Sequence, residues 1–197
     1  MMIFKRGIPI LMFLLLLIAG ACTQGMEKGV DMVRYERALA ETDPAKAAGL
    51  QPGSELEKEE VSRFVDFYRV FSPEVIRKGL RGLYADGAYF RDGFKEVVGI
   101  EAMEAYFLNS AEGIQTCTFD IQEMAVHQDN YYFRWVMHLT MKRSPDDPIR
   151  TVGMSHVRYD AKGKVIFHQD YCDTGSGLRE DPRHGRGDPL DQEKVLA

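Results

Sequence analysis

The sequence predicts an α+β domain in which a curved antiparallel sheet wraps around three N-terminal helices to form a cone. Two observations carry that prediction. Between residues 54 and 107, large apolar residues recur at helical spacing in three separate stretches. From Cys117 onward the period changes to two, and four successive stretches alternate between apolar and polar. Helices followed by a run of strands give an antiparallel sheet with the helices on one face.

The elements follow in order. Ser54 and Glu57 have capping-box spacing, and Val61, Phe64, Val65 and Tyr68 then form one apolar face. Ser72-Pro73 ends that helix and starts another, "PEVIRKGLRGLY", expected to stop near Gly82 with a left-handed cap. "GAYFRDGF" is a short strand and turn; "KEVVGIEAMEAYFLNSAEG" is a linker and a third helix through Ile100, Met103, Tyr106 and Phe107, closed by Gly113. "TCTFDIQEMAV", "NYYFRWVMHLTMK", "RTVGMSHVRY" and "KVIFHQDYC" are the four strands, the last two joined by the turn Asp160-Ala161-Lys162-Gly163.

The ends are of a different kind. Residues 1–21 combine Lys5 and Arg6, an apolar run from Ile8 to Ile18 and small residues before Cys22, the layout of a secretory signal. The run is shorter than the ~20 residues a membrane-spanning helix needs. Ala19-Gly20-Ala21-Cys22 resembles a bacterial lipobox, which implies lipidation at Cys22 and anchoring in the cell envelope; Thr23 in the next place implies the periplasmic face of the outer membrane. An ordinary cleaved signal with Cys22 incidental is the alternative. Residues 22–53 are expected to be a tether with a short helix around Met32 to Leu39, residues 54–174 the domain, and residues 175–197 a Gly-, Pro- and charge-rich tail. Net charge is −5, with no Lys/Arg cluster, which argues against nucleic acid as a partner. Nine Tyr, eleven Phe and one Trp supply material for a large buried core. Cys117 and Cys172 are expected as free thiols, although an envelope protein could bridge them. No CxxC or CxxH pair is present, so no metal is assigned, and no cofactor is implied.

Five segments in order, "YFRDGF", "VVGIEAMEAYF", "FRWVMHLTM", "TVGMSHVRYDAKGKV" and "FHQDYCD", resemble the nuclear transport factor 2-like superfamily in its SnoaL-like branch, over roughly residues 55–174. The resemblance implies a cystatin-like cone with a pocket at its mouth. Members include ketosteroid isomerases, limonene epoxide hydrolases and polyketide cyclases, so the fold leaves the chemistry open. The epoxide-hydrolase pattern puts the catalytic aspartate at Asp170 and the arginine at Arg134. Its second aspartate falls at Val136, which neither accepts nor donates a proton. Its water-positioning pair falls at Phe90 and Asp92, and Tyr106 joins the pocket wall.

His168 shares a strand face with Asp170, so the two could act as an acid–base pair; the alternative is a strand-end salt bridge, for instance with Arg134. Asp92 precedes a glycine and also fits a turn. Strand parity conflicts with the resemblance over Arg134. Tyr131, Phe133, Trp135, Met137, Leu139 and Met141 form an apolar face, which elementary burial turns inward, leaving Arg134 outside. The resemblance turns Arg134 into the pocket, which requires the apolar face to pack in a homodimer. Three functions follow from these residues: a domain that binds a small apolar molecule, a hydrolase or isomerase using Asp170 with Arg134 or His168, and a protein-interaction module.

Overall fold

A computed structural model describes residues 32–173. The signal stretch, Cys22 and the tail expected over 175–197 lie outside the described residues. The elements are α1 (Met32–Glu41), α2 (Glu55–Arg69), α3 (Pro73–Leu83), β1 (Tyr84–Arg91), β2 (Glu96–Val98), α4 (Ile100–Glu112), β3 (Ile114–His127), β4 (Asn130–Met141), β5 (Ser144–Tyr159) and β6 (Val165–Cys172). One open, curved sheet has the order β2-β1-β6-β5-β4-β3.

The helix starts follow from their caps. Ser54 Oγ accepts the Glu57 amide at 3.1 Å, and the Glu57 carboxylate turns back to the Gly53 amide at 2.6 Å. Ser72 caps α3 through the Val75 amide, with Pro73 in its first turn. The end of α3 departs from expectation. Gly82 is helical and the chain passes directly from Leu83 into β1 at Tyr84, with no left-handed cap. The buried side chains of Leu80, Leu83 and Tyr84 carry the chain straight into the core, which removes the need for a turn.

The sheet is antiparallel except at one place. β1 pairs with β6 in parallel, with Phe90 opposite His168. The connection between them runs through α4 and the β3–β4–β5 meander, which is long enough to bring the chain back in the same direction. β2 was expected as linker and instead forms a hairpin with β1. Its turn is built by Asp92, whose Oδ1 accepts the amides of Phe94 and Lys95 at 2.8 and 2.7 Å.

The core lies between the inner sheet face and α2–α4. Phe64 of α2 stacks on Phe133 of β4 at 4.6 Å, while Ile76, Leu80, Met103 and Phe107 fill the helical layer. Gly163, at φ +85°, completes the β5–β6 turn against Glu60 of α2, where a Cβ would collide with the Glu60 side chain.

The segment expected as a tether is partly packed. Arg158 of β5 donates to the Leu39 carbonyl at 2.8 Å and to Thr42 Oγ1 at 3.0 Å, and Ala38 and Leu50 are buried. The packed domain therefore begins upstream of Ser54: Arg158 ties residues 39 and 42 to β5, and Leu50 joins the core cluster. Among the described residues, no helix is long and apolar enough to cross a membrane. Cys117 and Cys172 are free thiols.

Candidate functional site

The inner sheet face decides the site. Trp135 of β4 stands opposite Gly153 of β5, and any Cβ at 153 would run into the indole. The missing side chain seats Trp135 so that its Nε1–H donates to Ser155 Oγ at 2.9 Å. Ser155 in turn donates to Asp170 Oδ1 at 2.5 Å, directly across the β5–β6 ladder. Two residues along β6, His168 meets the same oxygen through Nε2 at 2.9 Å. Its Nδ1 lies 2.6 Å from the Tyr84 hydroxyl, and Tyr84 lies 2.5 Å from the Tyr68 hydroxyl.

This polar chain runs through an aromatic interior. His168 is wholly buried, edge-on to Phe90 at 5.1 Å and parallel to Tyr84. Burial is the main cause that pushes both Tyr68 and Tyr84 well above the ordinary tyrosine range, so both hydroxyls stay protonated. The Asp170 side chain retains 16% of its exposure. It opens on a void of about 10 Å³ whose wall also includes Phe64, Tyr68, Phe119, Ile121, Trp135 and Ser155. That is about the room one water needs. The two hydrogen bonds to the Asp170 carboxylate both fall on Oδ1, which leaves Oδ2 without a donor among the described residues.

Asp92 does what its turn position suggested. Besides the two amides on Oδ1, its Oδ2 accepts the Tyr106 hydroxyl at 2.6 Å. Burial raises the Asp92 pKa, those donors pull it back, and the nearby Asp170 charge adds to the rise. Cys172 is pushed up to about 11, first by burial and then by Asp170. Asp92, Cys172 and Asp170 therefore share one electrostatic neighbourhood at the β1–β6 end.

The other expected residues separate into two groups. Phe90 is buried between His168 and Phe107 of α4, and Tyr106 anchors the β1–β2 turn; both support the site without lining the void. Arg134 and Val136 lie on the opposite face of β4 from Trp135 and so lie away from the void. Arg134 pairs with Glu123 and Gln122 of β3, each at 2.6 Å, and is about half exposed. The expectation of Arg134 beside Asp170 is thereby corrected: the period-two parity of the strand outweighs the resemblance. Val136 is buried on that face and is not in the wall of the void. Sequence reasoning missed Tyr84 and Ser155. A serine on the same strand face as Val157 and Tyr159 was the one available signal for Ser155. Among the described residues, no cluster of metal-ligating side chains occurs.

A SnoaL-like domain model matches residues 61–168, more than half of the sequence. The chain belongs to the SnoaL-like domain family. Among curated proteins, no sequence matches it. Solved structures with the same fold include a Catenulispora acidiphila DSM 44928 protein with a ketosteroid isomerase-like fold, in complex with trimethylamine. It is 18% identical, with a TM-score of 0.53 over 61% of this chain and 89% of that one. An LEH-like epoxide hydrolase of M. tuberculosis is 12% identical, with a TM-score of 0.52 over 64% and 89%. A protein provisionally assigned to the SnoaL-like polyketide cyclases, from Shewanella denitrificans OS-217, is 17% identical, with a TM-score of 0.53 over 62% and 94%. At these identities the likeness concerns the fold alone. The matched segment ends at His168, so Asp170 lies just beyond it.

Proposed function

We propose that this SnoaL-like domain is a small-molecule acid–base enzyme, an isomerase or hydrolase, in which Asp170 accepts a proton from a compact substrate. One observation carries this reading: Asp170 lines the void, and both of its side-chain hydrogen bonds, from Ser155 and His168, fall on Oδ1. A carboxylate oriented through one oxygen and open at the other is prepared to act as a base. Binding of an apolar molecule without turnover, the first function the sequence suggested, fits less well. The void is about 10 Å³, and an ionisable residue, Asp170, stands in its wall. The same size limits any substrate to one whose reacting end alone enters between α2 and β3.

The test needs no knowledge of the natural substrate. A panel of small ketones in D2O is followed by NMR for exchange of the hydrogens next to the carbonyl. The wild type is expected to catalyse exchange for at least one of them, and Asp170→Asn to lower the rate by about 10²–10⁴-fold. No exchange across the panel, together with an apolar molecule retained on the native protein by mass spectrometry, would return the binding function to first place.

A lipid anchor at Cys22 in the bacterial envelope is proposed on the lipobox-like sequence alone. The intact mass of the protein from a bacterial membrane fraction, with Cys22→Ser as control, tests it. A second copy docking on the outer sheet face is favoured by Val152, Met154 and Tyr171, which are 56%, 38% and 47% exposed there. A monomer by sedimentation at high concentration would exclude that association.

A further inference from the structure

The wall of the void combines one carboxylate with four aromatic rings. Phe64, Tyr68, Phe119 and Trp135 stand in it together with Asp170. The rings form a contiguous series. Phe64 and Tyr68 lie 4.8 Å apart, Tyr68 and Phe119 5.8 Å apart at 83°, and Phe119 and Trp135 5.1 Å apart at 85°. The corner beside a T-shaped pair is bounded by two ring faces, and a ring face is the negative side of its quadrupole. Two such pairs belong to this wall.

Asp170 has no fixed cation to answer it. Among the described residues no lysine or arginine forms an ion pair with it; its partner is the His168 imidazole. Arg134, the basic side chain that the sequence suggested, is on the outer face with Glu123. Neighbouring carboxylates deepen the imbalance: behind burial, Asp170, Asp92 and Asp173 all push the Cys172 thiol up. A carboxylate largely withdrawn from water calls for a positive partner, and ring faces attract the same charge.

We propose that the void is a binding site for the ammonium head of a compact primary amine, held by the Asp170 carboxylate and the aromatic rings of the wall. Size and donor count select that class. The void has room for about one water, which is also the size of an –NH3+ head. A quaternary ammonium or a guanidinium is too large to enter. A hard divalent ion takes roughly six or more oxygen ligands, and the wall offers side-chain oxygen from Tyr68, Ser155 and Asp170 alone. An ammonium can direct its N–H groups at the carboxylate and at ring faces instead. The proposal goes beyond the reading of Asp170 as a base: it asks that the carboxylate be reachable, not that it take a proton.

The chain has one tryptophan, Trp135, so its fluorescence and its 15N–1H indole resonance report on this wall. The full chain is titrated with methylammonium chloride, and separately with potassium chloride and tetramethylammonium chloride at matched ionic strength. Methylammonium is expected to move both signals to saturation, and the other two salts to leave them in place. Asp170→Asn is expected to raise the apparent Kd by about tenfold or more. Phe119→Leu keeps the carboxylate and removes a ring, and should raise it by about threefold or more. Movement that does not saturate overturns the proposal, as does equal movement with tetramethylammonium, which would mean a cation on the surface. An unchanged Kd in Asp170→Asn overturns it too; should that variant not fold, an unchanged Kd in Phe119→Leu decides in the same way. Ketone exchange judges the base and the methylammonium titration judges the cation site, so the two readings fail separately.

Discussion

The two faces of β4 carry similar chemistry in opposite settings. On the outer face Arg134 meets Glu123 in an ion pair with both partners about half exposed or more. On the inner face the side chains come up against a chain of hydrogen bonds from Trp135 through Ser155 to Asp170, His168, Tyr84 and Tyr68, most of it out of reach of solvent. Water can replace any partner on the outer face. It cannot do so around His168, where each unpaired atom bears its full desolvation cost. The difference shows which polar residues constrain the molecule: those whose loss water cannot repair.

The largest effect expected from this contrast is on the buried side. Tyr84→Phe removes the hydroxyl at 2.6 Å from His168 Nδ1 and leaves Tyr68, at 3.3 Å, as a poor substitute. A loss of about 1–3 kcal/mol in urea unfolding is expected, with an unchanged slope against denaturant. A loss within error would mean that Tyr68 moves in to satisfy the imidazole, and the inner chain would be more adaptable than its geometry suggests.

A smaller, pH-dependent effect is expected at Asp92, on the rim between the two settings. Burial raises its pKa above the ordinary 3.8, so the folded state holds the proton more tightly than the unfolded state. The stabilising contribution of that shift is present below pH 3.8 and is lost as pH rises through the raised value. Asp92→Asn can still accept the two turn amides on its one oxygen, and its NH2 can donate to the Tyr106 hydroxyl in place of accepting from it. The variant should therefore gain on the wild type as pH climbs from 3 to 7, followed by thermal melting at each pH. The opposite trend would mean that the three donors outweigh burial.

Much of this contrast was legible in the sequence, and the part that was not has a physical cause. Helical spacing around Phe64 and Tyr68 and the period-two strands gave the layers, because burial of large apolar side chains dominates both patterns. His168 and Asp170 stood out because two titratable residues at i and i+2 on a strand must share a face. Tyr84 and Ser155 were hidden: their partners are 84 and 15 residues away, and no local pattern encodes a contact made by the closing of the sheet. The parallel pairing of β1 with β6 is a long-range outcome of the same kind. At Arg134 two sources conflicted. Alternation along the strand proved the better guide, because a one-residue change of parity would expose Phe133 and Trp135, which the core needs.

The smallest expected effect therefore tests the contrast most directly. Arg134→Ala removes a guanidinium with two short hydrogen bonds, to Glu123 and to Gln122. By distance alone these rank with the strongest in the molecule. By setting they are weak: the pair sits in water, is screened by salt, and must hold two long side chains still. Stability should fall by no more than about 1 kcal/mol, less at high salt, and ketone exchange should not change. A loss of several kcal/mol would mean that the outer face is covered in solution. A loss of exchange with stability intact would mean that Arg134 reaches the reacting atoms after all. Either result would remove solvent exposure as the property that distinguishes the two faces.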